Sequence, residues 1–161
     1  MRILVFSHYY SPEGNAPAAR MSAMCSRWAS MGHGVEVITC APNVPSGTVY
    51  AGYANRLVQS ETLEGVRVTR VWTHLAANKG SAGRILNFLS YMFAAVFFAW
   101  FRKRPDLVVA TSPQFFCGWA GLVFARLRIR RVPFVLEIRD LWPDSIVAVG
   151  DGANDCLMIR N

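Results

Sequence analysis

The sequence has few acidic residues and lacks the best-known nucleotide-binding patterns. Its 161 residues include 10 aspartates and glutamates against 17 lysines and arginines, and charged residues make up only 17% of the chain. Neither the dinucleotide fingerprint G-x-G-x-x-G nor the P-loop pattern G-x-x-x-x-G-K-[ST] occurs. The missing fingerprint argues against a nicotinamide-dependent oxidoreductase, and the missing P-loop pattern argues against a P-loop phosphate site.

The cysteines also lack the spacing of a metal site. Cys25, Cys40, Cys117 and Cys156 are far apart and form no C-x-x-C pair, and three of them lie in apolar segments. We therefore expect buried free thiols in a reducing compartment and no metal. The first residues show no basic region followed by an apolar one, so we predict no secretory signal.

The chain is instead rich in apolar and basic residues. Hydrophobic residues make up 53%, the formal net charge is +7, and the sequence pI is about 9.8. A basic surface suits nucleic acid, anionic lipid or a phosphorylated substrate, and charge alone does not choose among them. The arginine cluster at 126–131 has no interleaved aromatic residues, so we expect no nucleic-acid partner.

The first twenty residues contain the most informative pattern. The apolar run Ile3–Phe6 is typical of a strand buried on both faces, and Pro12 and Gly14 then predict a tight turn. A helix is predicted from Ala16. A helix that begins directly after a glycine turn favours an anion such as phosphate, although many such turns bind nothing.

The rest of the chain alternates between predicted strands and helices. This order predicts an α/β fold: a doubly wound, mostly parallel, Rossmann-like sheet with one hairpin-like insertion. The third predicted strand, Val66–Trp72, carries arginines on both faces, which suggests an edge position. The long segment 41–55 is either a binding loop or a disordered surface loop. The other predicted elements are strands at Val35–Cys40, Pro105–Thr111 and Pro133–Ile138, and helices at Ile85–Phe101 and Gln114–Leu127.

Ligands of such sheets bind beyond the carboxyl ends of the strands, so three loops are candidates. They follow the first, fourth and fifth predicted strands, at Ser7–Gly14, Thr111–Gln114 and Glu137–Ser145. Within the second loop, Thr111, Ser112 and Gln114 are the expected substrate-binding residues.

The most apolar segment, Ile85–Phe101, has three interpretations. Its 17 residues reach the lower length limit of a membrane-spanning helix. We favour a helix of the domain whose exposed aromatic face dips into a membrane surface, while a plain core helix remains an equal alternative. The expected membrane-contacting residues are Phe93, Phe97, Trp100, Arg102, Lys103 and Arg104.

Four segments in order resemble the amino-terminal half of family 4 glycosyltransferases of bacterial surface-polysaccharide assembly, especially amino-sugar transferases. They are RILVFSHYYSPEGNAPAAR, MGHGVEVITCAPNVPSG, PDLVVATSPQFF and VLEIRDLWPDS. The resemblance implies one half of a GT-B fold, mainly binding the acceptor. It also implies a retaining transfer from a nucleotide sugar, expected to be UDP-linked, with no obligatory metal. The implied acceptor is a polyprenyl-diphosphate-linked sugar at the cytoplasmic face of the plasma membrane.

The same resemblance suggests individual site residues. Glu13, Gly14 and Asn15 would approach the donor diphosphate. The loop after the fifth predicted strand would meet the reacting sugar through Glu137, Arg139 and Asp140. There Asp140 would accept a hydrogen bond or proton from an acceptor hydroxyl, and Arg139 would steady a phosphate. An internal ion pair of Arg139 with Asp140 or Asp144 is the alternative.

Two departures from the family qualify these expectations. We expect a Rossmann-like acceptor-side domain over residues 1–150, but the chain is too short for a second, donor-binding domain. Residues 151–161 form an atypical tail that suggests a truncated end. We therefore expect the isolated chain to be inactive. The alternative is a non-catalytic binding module that pairs with a separate donor-binding chain.

Overall fold

The computed structural model describes residues 1–75, 81–112, 115–128 and 131–138. Within them the chain forms six strands and three helices. The elements are β1 (Arg2–Phe6), α1 (Ala16–Ser30), β2 (Gly34–Cys40), β3 (Val58–Leu63), β4 (Val66–Val71), α2 (Ser81–Trp100), β5 (Leu107–Thr111), α3 (Phe115–Leu127) and β6 (Phe134–Glu137).

The strands form one open sheet in the order β3-β4-β2-β1-β5-β6. All neighbouring pairs are parallel except β3 and β4, which form an antiparallel hairpin. From β1 the chain winds outward through β2 to β4, then returns to the other side of β1 with β5. The predicted doubly wound, mostly parallel α/β fold, with its hairpin insertion, is confirmed.

The central strand β1 is buried on both faces, as its unbroken apolar run predicts. Ile3 and Val5 pack in the same apolar cluster as Met21 and Cys25 of α1. Leu4 and Phe6 point to the opposite face, where the cluster includes residues of α2 and α3. Helices therefore cover the two sides of the sheet unequally, one on the first and two on the second.

The expected edge position of the third predicted strand is wrong. That strand is β4, and it lies between β2 and β3. Arg70 is buried because its guanidinium is fully engaged: it ion-pairs with Glu61 at 2.6 Å and donates to the carbonyl oxygens of Cys40 and Ser11. The edge strand on this side of the sheet is β3. A hydrophobic pattern does not reveal it, because its sequence, VQSETL, is mostly polar.

Helix α2 buries one face and exposes another. Its residues Ala82–Trp100 are long and apolar enough to cross a membrane by length and composition alone. In the fold, a stripe of buried residues packs the helix onto the sheet, and the Tyr91 hydroxyl donates to the Ile38 carbonyl at 2.7 Å. The opposite stripe carries Phe93, Phe97 and Trp100, which are 67%, 58% and 41% exposed. The buried stripe comprises Asn87, Tyr91, Ala95 and Ala99.

The predicted burial of the cysteine thiols is confirmed for three of the four. Cys25, Cys40 and Cys117 are buried free thiols, and burial raises the pKa of Cys25 and of Cys117 to about 12. Cys156 lies outside the described residues.

Candidate functional site

The carboxyl ends of the parallel strands bring the predicted loops to one edge of the sheet. The change of winding direction lies between β1 and β5, so the loops after these two strands flank the crevice where such sheets bind ligands. The loop after β1 contains Ser7–Asn15, and the loop after β5 begins with Ser112. The end of β6 adds Glu137, which is paired in register with Thr111.

Glu13 connects the turn after β1 to the long loop after β2. Its Oε1 accepts hydrogen bonds from the backbone N–H groups of Asn43 and Val44 at 2.9 and 3.2 Å. Its Oε2 accepts one from Asn15 Nδ2 at 3.3 Å. Burial raises the pKa of the Glu13 carboxyl, while these hydrogen bonds and the charge of Arg70 act in the opposite direction. The turn is therefore held by its own carboxylate.

Asn15 caps α1, which leaves the helix start with fewer donors for an anion than the sequence suggests. The Asn15 side chain accepts from the Ala18 N–H at 2.8 Å, and Pro17 has no N–H. Gly14 has open space around the position of a Cβ atom. Ligand access at this turn therefore depends on the space beside Gly14 more than on a full set of helix N–H groups.

A second group of side chains joins β5, β6 and α1. The Glu137 Oε2 accepts a hydrogen bond from the Thr111 hydroxyl at 3.1 Å. Its Oε1 lies 2.6 Å from a guanidinium nitrogen of Arg20, in an ion pair across the edge of the sheet. Sequence reasoning selected Thr111 and Glu137 separately but missed Arg20. The available signal was that Arg20 is the first cationic residue after the glycine turn.

His8 is a further residue that the sequence analysis did not select. Asn87 of α2 donates through Nδ2 to the His74 carbonyl, which leaves its Oδ1 to accept from His8 Nε2 at 2.7 Å. Tyr9, Phe88 and Tyr91 surround the imidazole ring. Burial lowers the pKa of His8 to about 4, so the ring is neutral at neutral pH. His8 thus ties the loop after β1 to α2.

The long loop after β2 is ordered by contacts with the rest of the fold. It is therefore not the disordered surface loop that the sequence left open as an alternative. The loop contacts Glu13, as described above. In addition, Asn55 of the loop exchanges two hydrogen bonds with Thr73, with distances of 2.7 and 3.2 Å. The Tyr53 ring packs 4.8 Å from the Arg70 guanidinium. This loop forms a fixed wall beside the carboxyl edge of the sheet.

The remaining predicted residues fall into two groups. Gln114, Arg139, Asp140 and the tail at 151–161 lie outside the described residues. Lys103 is exposed, Arg104 donates to the Arg131 carbonyl, and Arg102 lies 3.2 Å from Glu36 in an ion pair. These three basic residues follow the end of α2, at the opposite edge of the sheet from the candidate site.

The six-stranded, mostly parallel sheet with its three helices is one Rossmann-like α/β unit. The sequence model of the glycosyl transferase 4-like domain matches residues 15–154, which is most of the chain. The chain therefore belongs to this glycosyltransferase family, as the resemblance of its four segments predicted.

A relative has been described in Escherichia coli strain K12 under the name "Putative colanic acid biosynthesis glycosyl transferase WcaI". The two sequences are 29% identical over 153 residues. The match covers 93% of this chain and 37% of the relative, so this chain spans little more than a third of that protein's length.

Proposed function

We propose that this domain binds the acceptor in a retaining glycosyltransferase of cell-surface glycan synthesis. The observation that carries the proposal is the group formed by Arg20, Thr111 and Glu137 at the carboxyl edge, in a chain of the glycosyl transferase 4-like family. Glu137 is held by two partners, so its orientation is set before a ligand arrives. A carboxylate held in this way suits a sugar hydroxyl, which donates a hydrogen bond to it.

In this proposal the acceptor is a sugar linked to a polyprenyl diphosphate. Arg20 supports the assignment because its side chain is 57% exposed and already lies at the edge of the site. A guanidinium binds phosphate oxygens through two parallel hydrogen bonds. The acceptor diphosphate would therefore lie beside Arg20, and its sugar beside Glu137 and Thr111.

The donor in this proposal is a nucleotide sugar, UDP-linked, whose diphosphate approaches the open space beside Gly14. In this proposal the transfer needs no metal, and the start of α1 contributes partial positive charge on the donor side. A second donor-binding domain, in the same protein or in a partner chain, would hold the nucleotide. Without the donor-binding domain we expect this domain to bind its acceptor but not to catalyse sugar transfer.

The membrane surface is the third part of the proposal. The exposed stripe of Phe93, Phe97 and Trp100 on α2, followed by the basic residues 102–104, would contact the cytoplasmic face of the plasma membrane. Aromatic side chains prefer the interface, and basic side chains meet its anionic lipid. This contact would bring the domain to a lipid-linked acceptor.

Acceptor binding by the chain tests the proposal. A polyprenyl-diphosphate-linked N-acetylamino sugar in detergent micelles is titrated while backbone hydrogen exchange is followed. We expect protection within residues 7–15 and 134–138. Glu137→Gln should weaken binding about tenfold, because a hydrogen bond to a charged group is lost. The control Glu64→Gln replaces an exposed carboxylate at the β3–β4 turn and should bind as the wild type. Equal affinity of the two variants, or no binding at all, would refute the acceptor assignment.

A further inference from the structure

Two cavities meet at the end of α2, and neither belongs to the candidate site. The first is an apolar groove of about 700 Å³ along α2, lined by Phe93, Phe97, Trp100 and Phe101, among others. The second is a pocket of about 720 Å³ between the end of α2 and the amino ends of the strands. Phe101 lines both of them, so the groove and the pocket are neighbours at this residue.

The pocket is strongly basic. Arg2, Arg67, Arg102 and Lys103 line it, against the single carboxylate of Glu36. Glu36 is already engaged, since it ion-pairs with Arg102 at 3.2 Å and accepts from the Thr69 hydroxyl at 3.0 Å. The nearby Asp106 accepts from the Arg2 backbone N–H at 2.7 Å. Over the described ranges Arg2, Arg67 and Lys103 make no ion pair, so their charges face the cavity and solvent.

The pocket is also far from the site where a sugar would be transferred. Asn87 near the start of α2 contacts His8 at the carboxyl edge, whereas Phe101 follows the last residue of the helix. A helix rises about 1.5 Å per residue, which puts the two ends roughly 20 Å apart. A phosphate bound in the basic pocket is therefore not the reacting end of an acceptor.

We infer that the basic pocket binds the headgroup phosphate of an anionic membrane phospholipid while the apolar groove accepts its acyl chains. Charge complementarity supports this occupant, because a cationic cavity beside an apolar groove matches a molecule with one anionic and one hydrocarbon end. The inference rests on the proposed membrane contact and adds to it a defined headgroup site. It predicts that the domain prefers anionic to neutral membranes through these particular residues.

Vesicle binding of two matched double variants tests the inference. Sedimentation is measured with vesicles of phosphatidylcholine alone and of equal parts phosphatidylcholine and phosphatidylglycerol. Arg67→Gln with Lys103→Gln removes two charges from the pocket, and Arg27→Gln with Arg56→Gln removes two exposed charges elsewhere. Each basic residue near an anionic surface contributes about fivefold to binding, so the pocket variant should bind the anionic vesicles roughly thirtyfold more weakly. The control pair should lose much less, and thermal unfolding verifies that both variants fold.

The outcomes separate the headgroup site from the broader proposal. If the wild type binds both vesicle types equally, or the two double variants lose affinity equally, the headgroup site is refuted while membrane contact stands. If it binds neither vesicle type, membrane contact fails as well, whereas acceptor binding in micelles is judged independently. A rise in Tm with inorganic phosphate that the pocket variant abolishes, together with unchanged vesicle binding, would assign the pocket to a soluble phosphate and overturn the inference.

Discussion

His8 has the most distinctive side-chain environment at the carboxyl edge. Its ring is enclosed by aromatic side chains, and Cys40 Sγ lies 3.7 Å from its Nδ1. Neither a cysteine thiol at this burial nor a tyrosine hydroxyl supplies a negative charge at neutral pH, because burial raises the pKa values of Cys40 and Tyr91. The neutral imidazole is therefore the form that this cluster stabilises.

The pH dependence of stability follows from this environment. The pKa of His8 is about 4 in the folded domain and 6.5 as the reference value for an unfolded chain. A histidine whose pKa is lowered on folding favours the folded state at pH values above its unfolded pKa of 6.5. This stabilisation is lost as the pH falls from 6.5 towards 4. Between about pH 7 and about pH 5 the wild type should lose roughly 2 kcal/mol of unfolding free energy relative to His8→Gln.

Urea unfolding at both pH values measures this difference. The free energy of unfolding of the variant is subtracted from that of the wild type at each pH. This removes the contribution of Glu13, whose raised pKa acts in the opposite direction. His33→Gln, at the turn after α1, is the control for replacing a histidine, and the same difference in both variants would show that the effect is not specific to His8. Parallel pH profiles of the wild type and His8→Gln would show that the imidazole is not enclosed as described.

Helix α3 lies close to the sheet because two of its residues are glycines. A Cβ atom on Gly121 would lie 2.7 Å from Phe134 Cε2 and 3.1 Å from Ala110 Cβ. A Cβ on Gly118 would instead meet Leu136 Cδ1 at 3.2 Å, the far end of a flexible and half-exposed side chain. The same substitution therefore has different consequences one turn apart.

We expect Gly121→Ala to lower the free energy of unfolding by roughly 1–2 kcal/mol, since overpacking exceeds the gain in helix propensity. Gly118→Ala should remain within about 0.5 kcal/mol of the wild type or be more stable, because Leu136 can rotate away. Urea denaturation of both variants measures the difference. Equal shifts in the two variants would contradict the close packing of α3 on β5 and β6.

The elements show which features a single sequence encodes locally. The apolar run of β1, the turn at Pro12 and Gly14 and the start of α1 at Ala16 were predictable, because each depends on neighbouring residues. Strand β3 was not predictable from its own residues, because its mostly polar sequence takes up a strand by pairing with β4. The burial of Arg70 and the meeting of Arg20 with Glu137 depend on residues brought together by the sheet, so no local pattern indicates them.

At the scale of the whole molecule, the two faces differ in character. Met21 and Cys25 of α1 pack against one side of the sheet, while Arg20 and Arg27 are exposed on the outer surface of that helix. The other side carries α2 and α3, whose outer surface includes Phe93, Phe97 and Trp119. This outer surface, with its exposed aromatic side chains, suits attachment to a membrane in one orientation.

The triple variant Phe93→Gln, Phe97→Gln and Trp100→Gln tests this orientation. It should weaken vesicle partitioning by more than about tenfold, because each exposed aromatic ring contributes apolar area, and it should unfold near the wild-type Tm. Met31→Gln, Leu57→Gln and Val58→Gln remove exposed apolar side chains elsewhere and form the control. Equal losses in the two triples would refute the oriented contact, and unfolding of the first would identify the stripe as core.

The pairing of β1 with β5 also has a consequence for synthesis on the ribosome. Strand β1 is made first, but Arg2 meets Asp106, which is 104 residues further along the chain. At typical translation rates, roughly 5 to 20 seconds pass before that partner is made. During this interval β2 is available to one edge of β1, while the other edge stays open. The middle strand of this sheet is thus made before its partner β5 and is among the last to be enclosed. The nascent chain must keep the unpaired backbone groups of this edge from other unfolded chains.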